Sequence, residues 1–128
     1  MQVFQTKLFE RFAKKNRMSD QSLCTAVAQA SLGLIDADLG GGLIKQRIAR
    51  PGKGKSSGFR TILAFRTNSF ACFLYGFAKN DMANVDARDL VHLHDLAAQL
   101  MHLSPSQLKQ AANDGNLIEV KCNEKTIP

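Results

Sequence analysis

Apolar residues recur at helical spacing before residue 33 and again after residue 86, but from residue 43 the period changes to two, and the segment 70–79 is nearly all apolar. A helix buries one stripe at a period of 3.6 residues and a strand buries one face at a period of two. The chain is therefore committed to a helical pair, a block of strands and a helical end. Residues 1–6 read as a short opening strand. Thr6 can cap a first helix with Leu8, Phe9, Phe12 and Ala13 on one stripe, and Ser19 a second with Leu23, Ala26, Val27 and Ala30 on another. Gly33 and the run Gly40, Gly41 and Gly42 end this hairpin in what reads as a tight helix-to-strand turn; glycine backbone that approaches a phosphate is the other reading.

Three strands are expected next. In residues 43–49, Lys45 and Arg47 point to one side while Ile44 and Ile48 point to the other. The segment PGKGKSSG at 51–58 reads as a basic hairpin loop. Residues 59–66 set Arg60, Ile62, Ala64 and Arg66 opposite Phe59, Thr61, Leu63 and Phe65. Residues 70–79, the most apolar segment, form the natural central strand, with Phe73, Tyr75, Phe77 and Lys79 on one face. Asp86 can cap a helix with Leu90, Leu93, Ala97, Leu100 and Met101 inward, and Ser104, Pro105 and Gln107 open a shorter one that stops near Gly115. Residues 117–120 are an edge strand or a tail. At 128 residues and 14.1 kDa the chain is expected to be one domain, 1–128, with 104–128 as a C-terminal extension. Its fold class is α+β, helices packed on a small, mainly antiparallel sheet.

Charge is distributed unevenly along this frame. Residues 39–80 carry eight lysines and arginines and no aspartate or glutamate, while the net charge of the whole chain is only +6. Ordinary surfaces intersperse both signs, so an acid-free stretch of this length points to a polyanionic partner, with nucleic acid favoured. Lys45, Arg47, Arg50, Lys53, Lys55, Arg60, Arg66 and Lys79 make up the cluster; a loosely solvated basic face is the plainer alternative. Tyr75, the single tyrosine, suits proton transfer or base stacking, or a place in the core. Metal-free RNA cleavage needs a 2'-hydroxyl deprotonated, a pentavalent phosphate stabilised and a leaving oxygen protonated. Lysines and arginines meet the second need directly, and a lysine crowded by cations, such as Lys45 or Lys53, is a candidate for the first.

Other chemistries find little support. His92, His94 and His102 read as surface or boundary residues of the late helix, and His92 and His94 turn to different faces, so no shared metal is expected. There is no P-loop, dinucleotide fingerprint or nucleophile elbow, and no cofactor is expected. Cys24, Cys72 and Cys122 are widely spaced and odd in number, and read as reduced residues. No run is long and apolar enough to span a bilayer and no signal-peptide core opens the chain, so a cytoplasmic protein without a membrane partner is expected.

The segments GGLIKQRIARPGKGKSSGFRTILAF at 41–65 and FLYGFAKND at 73–81 resemble the RelE/HigB toxins of bacterial type II toxin-antitoxin modules, with a close likeness to the HigB-like branch. The resemblance covers roughly residues 40–102. It implies a RelE-like microbial RNase fold and a ribosome-dependent mRNA endoribonuclease that works through 2'-hydroxyl attack without metal. It also implies a cognate antitoxin, often of helix-turn-helix type, with mRNA and the ribosome as the other partners. By the same resemblance Arg60 stabilises the scissile phosphate, Lys45 and Arg47 position or activate the 2'-hydroxyl, and Lys53, Lys55 and Lys79 complete the cationic site. The chain departs from RelE at Asn80, where RelE has an arginine, and at Val85 and Asp86, near its catalytic tyrosine. A non-catalytic RNA- or ribosome-binding module of the same fold, and a ParE-like toxin with another target, are the competing expectations.

Overall fold

The computed structural model describes the backbone of residues 1–50, 54–78 and 86–122, with the side chains at 49, 50 and 54–57 outside that description. In chain order the elements are β1 (Gln2–Gln5), α1 (Lys7–Lys15), α2 (Asp20–Ser31), β2 (Ala37–Gly40), β3 (Leu43–Arg50), β4 (Gly54–Arg66), β5 (Phe70–Ala78), α3 (Ala87–Met101), α4 (Pro105–Asn113) and β6 (Ile118–Glu119). The strands form one mixed sheet in the order β2-β3-β4-β5-β1-β6. Among the described residues only the β1–β5 pairing is parallel; the others are antiparallel. The α+β architecture agrees with the RelE-like fold expected from the sequence.

All four helices start where side-chain caps were expected. The hydroxyls of Thr6 and Ser19, the Asp86 carboxylate and the Ser104 hydroxyl each accept from the backbone N–H three residues on, at 2.9–3.1 Å. At Ser104 the Gln107 side chain also accepts from the Ser104 N–H, completing a capping box. One face of the sheet packs Ile44, Ile48, Leu63, Phe65 and Phe73 against Phe9, Ala13, Leu23, Val27 and Ala30 of α1 and α2. The other packs Leu43, Ile62, Ala64, Cys72 and Leu74 against Leu93, Ala97, Leu100 and Leu108 of α3 and α4. Leu8, expected in the α1 stripe, is 61% exposed instead; Phe9 and Ala13 are buried and the partly buried Phe12 packs beside them. Among the described residues no helix is long and apolar enough to cross a membrane.

Several expectations need correction. The glycine run is a strand-to-strand turn, not a helix-to-strand one: β2 precedes it and folds back on β3. Gly40, Gly41 and Gly42 all take positive φ, which suits residues without a Cβ. β4 begins at Gly54, so five of the eight residues of the expected loop are strand, and Lys53 lies outside the described residues. In β5 the register slips, with Ile62 facing Tyr75 but Leu63 facing Phe73, so Leu74 is the extra residue of a bulge. The bulge reverses the faces. Phe73 joins the α1/α2 core, whereas Tyr75 and Phe77 turn to the α3 side.

The cysteines also differ from expectation. β6 pairs with β1, Val120 N–H donates to Val3 O at 2.8 Å, and Lys121 N–H donates to Asp20 Oδ2 at 3.3 Å. These contacts lay residue 122 over α2. Cys24 and Cys122 are joined there as a disulfide, with Cα atoms 5.6 Å apart. Cys72 alone is free and buried, and burial pushes its thiol up to about 12, so it stays protonated and chemically silent at neutral pH.

Candidate functional site

Strand β3 alternates between two kinds of work. Its inward Gln46, 2% exposed, donates from Nε2 to Ala26 O at 2.9 Å and Leu34 O at 3.0 Å, and accepts at Oε1 from the Asp36 N–H at 2.9 Å. The Asp36 N–H also reaches Lys45 O at 3.1 Å. One buried amide thus ties the middle of α2 and the segment before β2 to β3. The residues on either side of it, Lys45 and Arg47, point to the opposite face, as the alternation requires.

On that face β4 sets Arg60 directly across from Arg47 and Ile62 across from Lys45. Like charges in opposed cross-strand positions repel, so the pairing needs an anion nearby. Asp36 supplies it. Its Oδ1 accepts from Arg47 Nε at 2.9 Å, and its Oδ2 lies 3.7 Å from Arg60 Nε and 3.9 Å from Lys45 Nζ. The side chains of Asp36, Lys45 and Arg60 are 13%, 19% and 6% exposed, whereas that of Arg47 is 48% exposed. Arg60 Nη1 is buried and has no hydrogen-bond partner among the described residues. Beside the cluster lies an open groove of about 440 Å³ between the α2 exit and β3, lined by Gln29, Gly33, Leu34, Ile35, Asp36, Gln46 and Arg47.

The bulge in β5 brings the half-buried Tyr75 to the face that Arg60 and Ile62 share, with its ring 6.1 Å from that of Phe77. A second hollow, about 330 Å³, lies where β5 outruns β1 and is lined in part by Lys15, Asn16, Tyr75 and Phe77. Gly76 belongs there because the Phe12 ring packs onto its backbone, where a Cβ would collide.

Of the cations expected in the site, Lys45, Arg47 and Arg60 are brought together. Arg66 is not. It stands at the far end of β4, its Nη2 donating to Met101 O at 2.7 Å and its guanidinium 5.9 Å from the Phe70 ring centre. Lys79, with the departures at Asn80 and Val85, lies outside the described residues, and so do the side chains of Arg50 and Lys55. The patch is not free of negative charge, as its stretch of sequence implies, because Asp36 enters from just outside that stretch. Sequence reasoning missed Asp36 and Gln46. The available signal was two aspartates, Asp36 and Asp38, immediately before the acid-free run. His94 is half-buried against the glycine turn, near where a Cβ on Gly41 would stand. Among the described residues no three histidine, cysteine or carboxylate side chains are grouped to hold a metal ion.

The arrangement can grip an anion: three cationic groups from two strands converge on one point, and the most exposed of them carries a planar fork of donors suited to a phosphate. Comparison of the sequence with curated proteins finds no match. A family model described as the RelE toxin of the RelE/RelB toxin-antitoxin system matches residues 1–120.

Proposed function

Because the chain belongs to the RelE toxin family of toxin-antitoxin systems, we propose that it is a ribosome-dependent mRNA endoribonuclease that stops translation by cutting the message. The family implies an antitoxin as its partner; a helix-turn-helix antitoxin and a cytoplasmic site of action are part of the proposal. The observation that carries it is the convergence of Lys45, Arg47 and Arg60 on a single carboxylate, which marks a point where the fold favours negative charge.

In the proposed reaction the 2'-hydroxyl loses its proton and its oxygen attacks the adjacent phosphorus. The bond to the 5'-oxygen breaks, that oxygen takes up a proton, and a 2',3'-cyclic phosphate remains. Arg47 meets the incoming phosphodiester first, being the most exposed of the three, and Arg60 stabilises the growing charge on the phosphate oxygens from behind. Lys45 orients or activates the 2'-hydroxyl. Tyr75 lies on the same face as a proton carrier or a stacking surface for a base, and Arg50, Lys53, Lys55 and Lys79 are assigned to the RNA backbone and the outer site. Family membership and the geometry of the three described cations support these roles.

The test is primer extension on mRNA from expressing cells and from a translating extract. New 5' ends should appear within translated frames, vanish when ribosomes are kept off the message, and fall at least about tenfold in the Arg47→Ala variant. Growth arrest without cut RNA, with an RNA affinity that drops steeply with salt, selects the binding module instead. Arrest with intact mRNA and damaged DNA selects a ParE-like target.

A further inference from the structure

One carboxylate serves three cations here, and it does not satisfy them. Only the Arg47 contact, at 2.9 Å, is a hydrogen bond; Arg60 and Lys45 share Oδ2 at 3.7 and 3.9 Å. Arg60 is 5% exposed, and its Nη1 lacks an acceptor among the described residues. A buried guanidinium with donors unfilled is unfavourable, and three cations around one anion leave positive charge uncompensated. Among the described residues the site therefore has more donors than acceptor oxygens. A phosphodiester, which carries the same single charge as a carboxylate and two non-bridging oxygens, fits what is missing.

We propose that Asp36 is a positioning residue that stands in for the RNA phosphate in the free protein: it keeps Lys45, Arg47 and Arg60 gathered on one point, and gives up the arginine donors to a phosphodiester when RNA binds. The inference rests on the RNA-cleaving function proposed above. The local structure suits such an exchange. Gln46 and the Lys45 carbonyl hold the Asp36 backbone, so the carboxylate moves by side-chain rotation alone, and the groove that Asp36 itself lines gives it room to rotate. Prearranged cations need little rearrangement as charge develops on the phosphate. The same carboxylate competes with RNA for their donors and so holds affinity down.

The Asp36→Asn variant separates these effects, since it keeps an oxygen for Arg47 Nε and loses the charge. Binding is read by fluorescence anisotropy with a 2'-O-methylated RNA oligonucleotide, which cannot be cut, across a series of salt concentrations. Cleavage is read in the translating extract. Asp36→Asn should bind the oligonucleotide about threefold tighter or more. Its log–log salt dependence should steepen by about 0.7, the equivalent of one added phosphate contact on a single strand. Its cleavage should fall at least about tenfold as the cations lose their common anchor. Asp36→Glu should return affinity to the wild-type value. A residue that merely supports the fold would weaken binding and cleavage together, and unchanged or weaker binding by Asp36→Asn overturns the proposal. If Asp36→Asn does not fold, the charge is removed in an Arg60→Gln background: the double variant must bind tighter than Arg60→Gln alone, and equal affinity overturns the proposal. A wild-type protein that neither binds nor cuts RNA overturns the parent function and this inference with it, whereas a wild type that does both while affinity ignores residue 36 overturns the inference alone.

Discussion

Arg60 and Arg66 occupy the same face of β4, six residues apart, which in an extended strand is about 20 Å, and they do different jobs. At the Arg66 end the last turn of α3 arrives, and the guanidinium hydrogen-bonds the Met101 carbonyl beside the Phe70 ring. Cations are favoured there because the final carbonyls of a helix lack intrahelical partners and carry the negative end of its dipole. At the Arg60 end a loop brings in Asp36, which draws a second arginine and a lysine to the same point. Residue type and strand face are identical, so the role is decided by the distant segment that lands on each end. A run of basic residues in sequence is therefore not one patch.

The contrast is exposed to three further substitutions. Arg60→Ala should lower RNA cleavage by about a hundredfold or more, since it removes a charge stabiliser next to the phosphate; initial rates in a translating extract measure it, and near-normal activity would erase the distinction between the two ends. Gly76→Ala tests whether the Arg60 end is held in shape by α1. A Cβ there runs into the Phe12 ring, and overpacking of this kind costs about 1–3 kcal/mol, seen as a lower urea midpoint. Arg66→Ala should have the smallest effect: about 1 kcal/mol of stability from the lost carbonyl and ring contacts of an exposed side chain, with the cleavage rate of the folded protein unchanged. A collapse of activity in Arg66→Ala, with stability intact, would place that arginine back in the site.

What the sequence revealed follows from how far each determinant reaches. The caps at Thr6, Ser19, Asp86 and Ser104 act over three residues, and the alternation that separates Lys45 and Arg47 from Ile44 and Ile48 acts over two, so both were readable in place. Pairing β1 in parallel beside β5, adding β2 to the edge of β3 and bringing residue 122 to residue 24 are contacts between remote segments, and local pattern does not encode them. The bulge at Leu74 was hidden because an all-apolar strand fits either face equally well. Lys45 and Arg47 were legible from alternation and Arg60 from the expected hairpin; their partner was not, because Asp36 belongs by sequence to another segment and by structure to this one.

The Cys24–Cys122 link gives the fold a mechanical polarity. Pulled from residue 122, the chain cannot shed β6 like a zipper from the sheet edge; the load passes through the sulfur bridge to α2 at Cys24, two residues from Ala26, where Gln46 fastens the helix to the strand that carries Lys45 and Arg47. While the bridge is intact, an unfolding motor that grips this end must break into the helical layer early, and once it is reduced the same motor can strip the outer strand first.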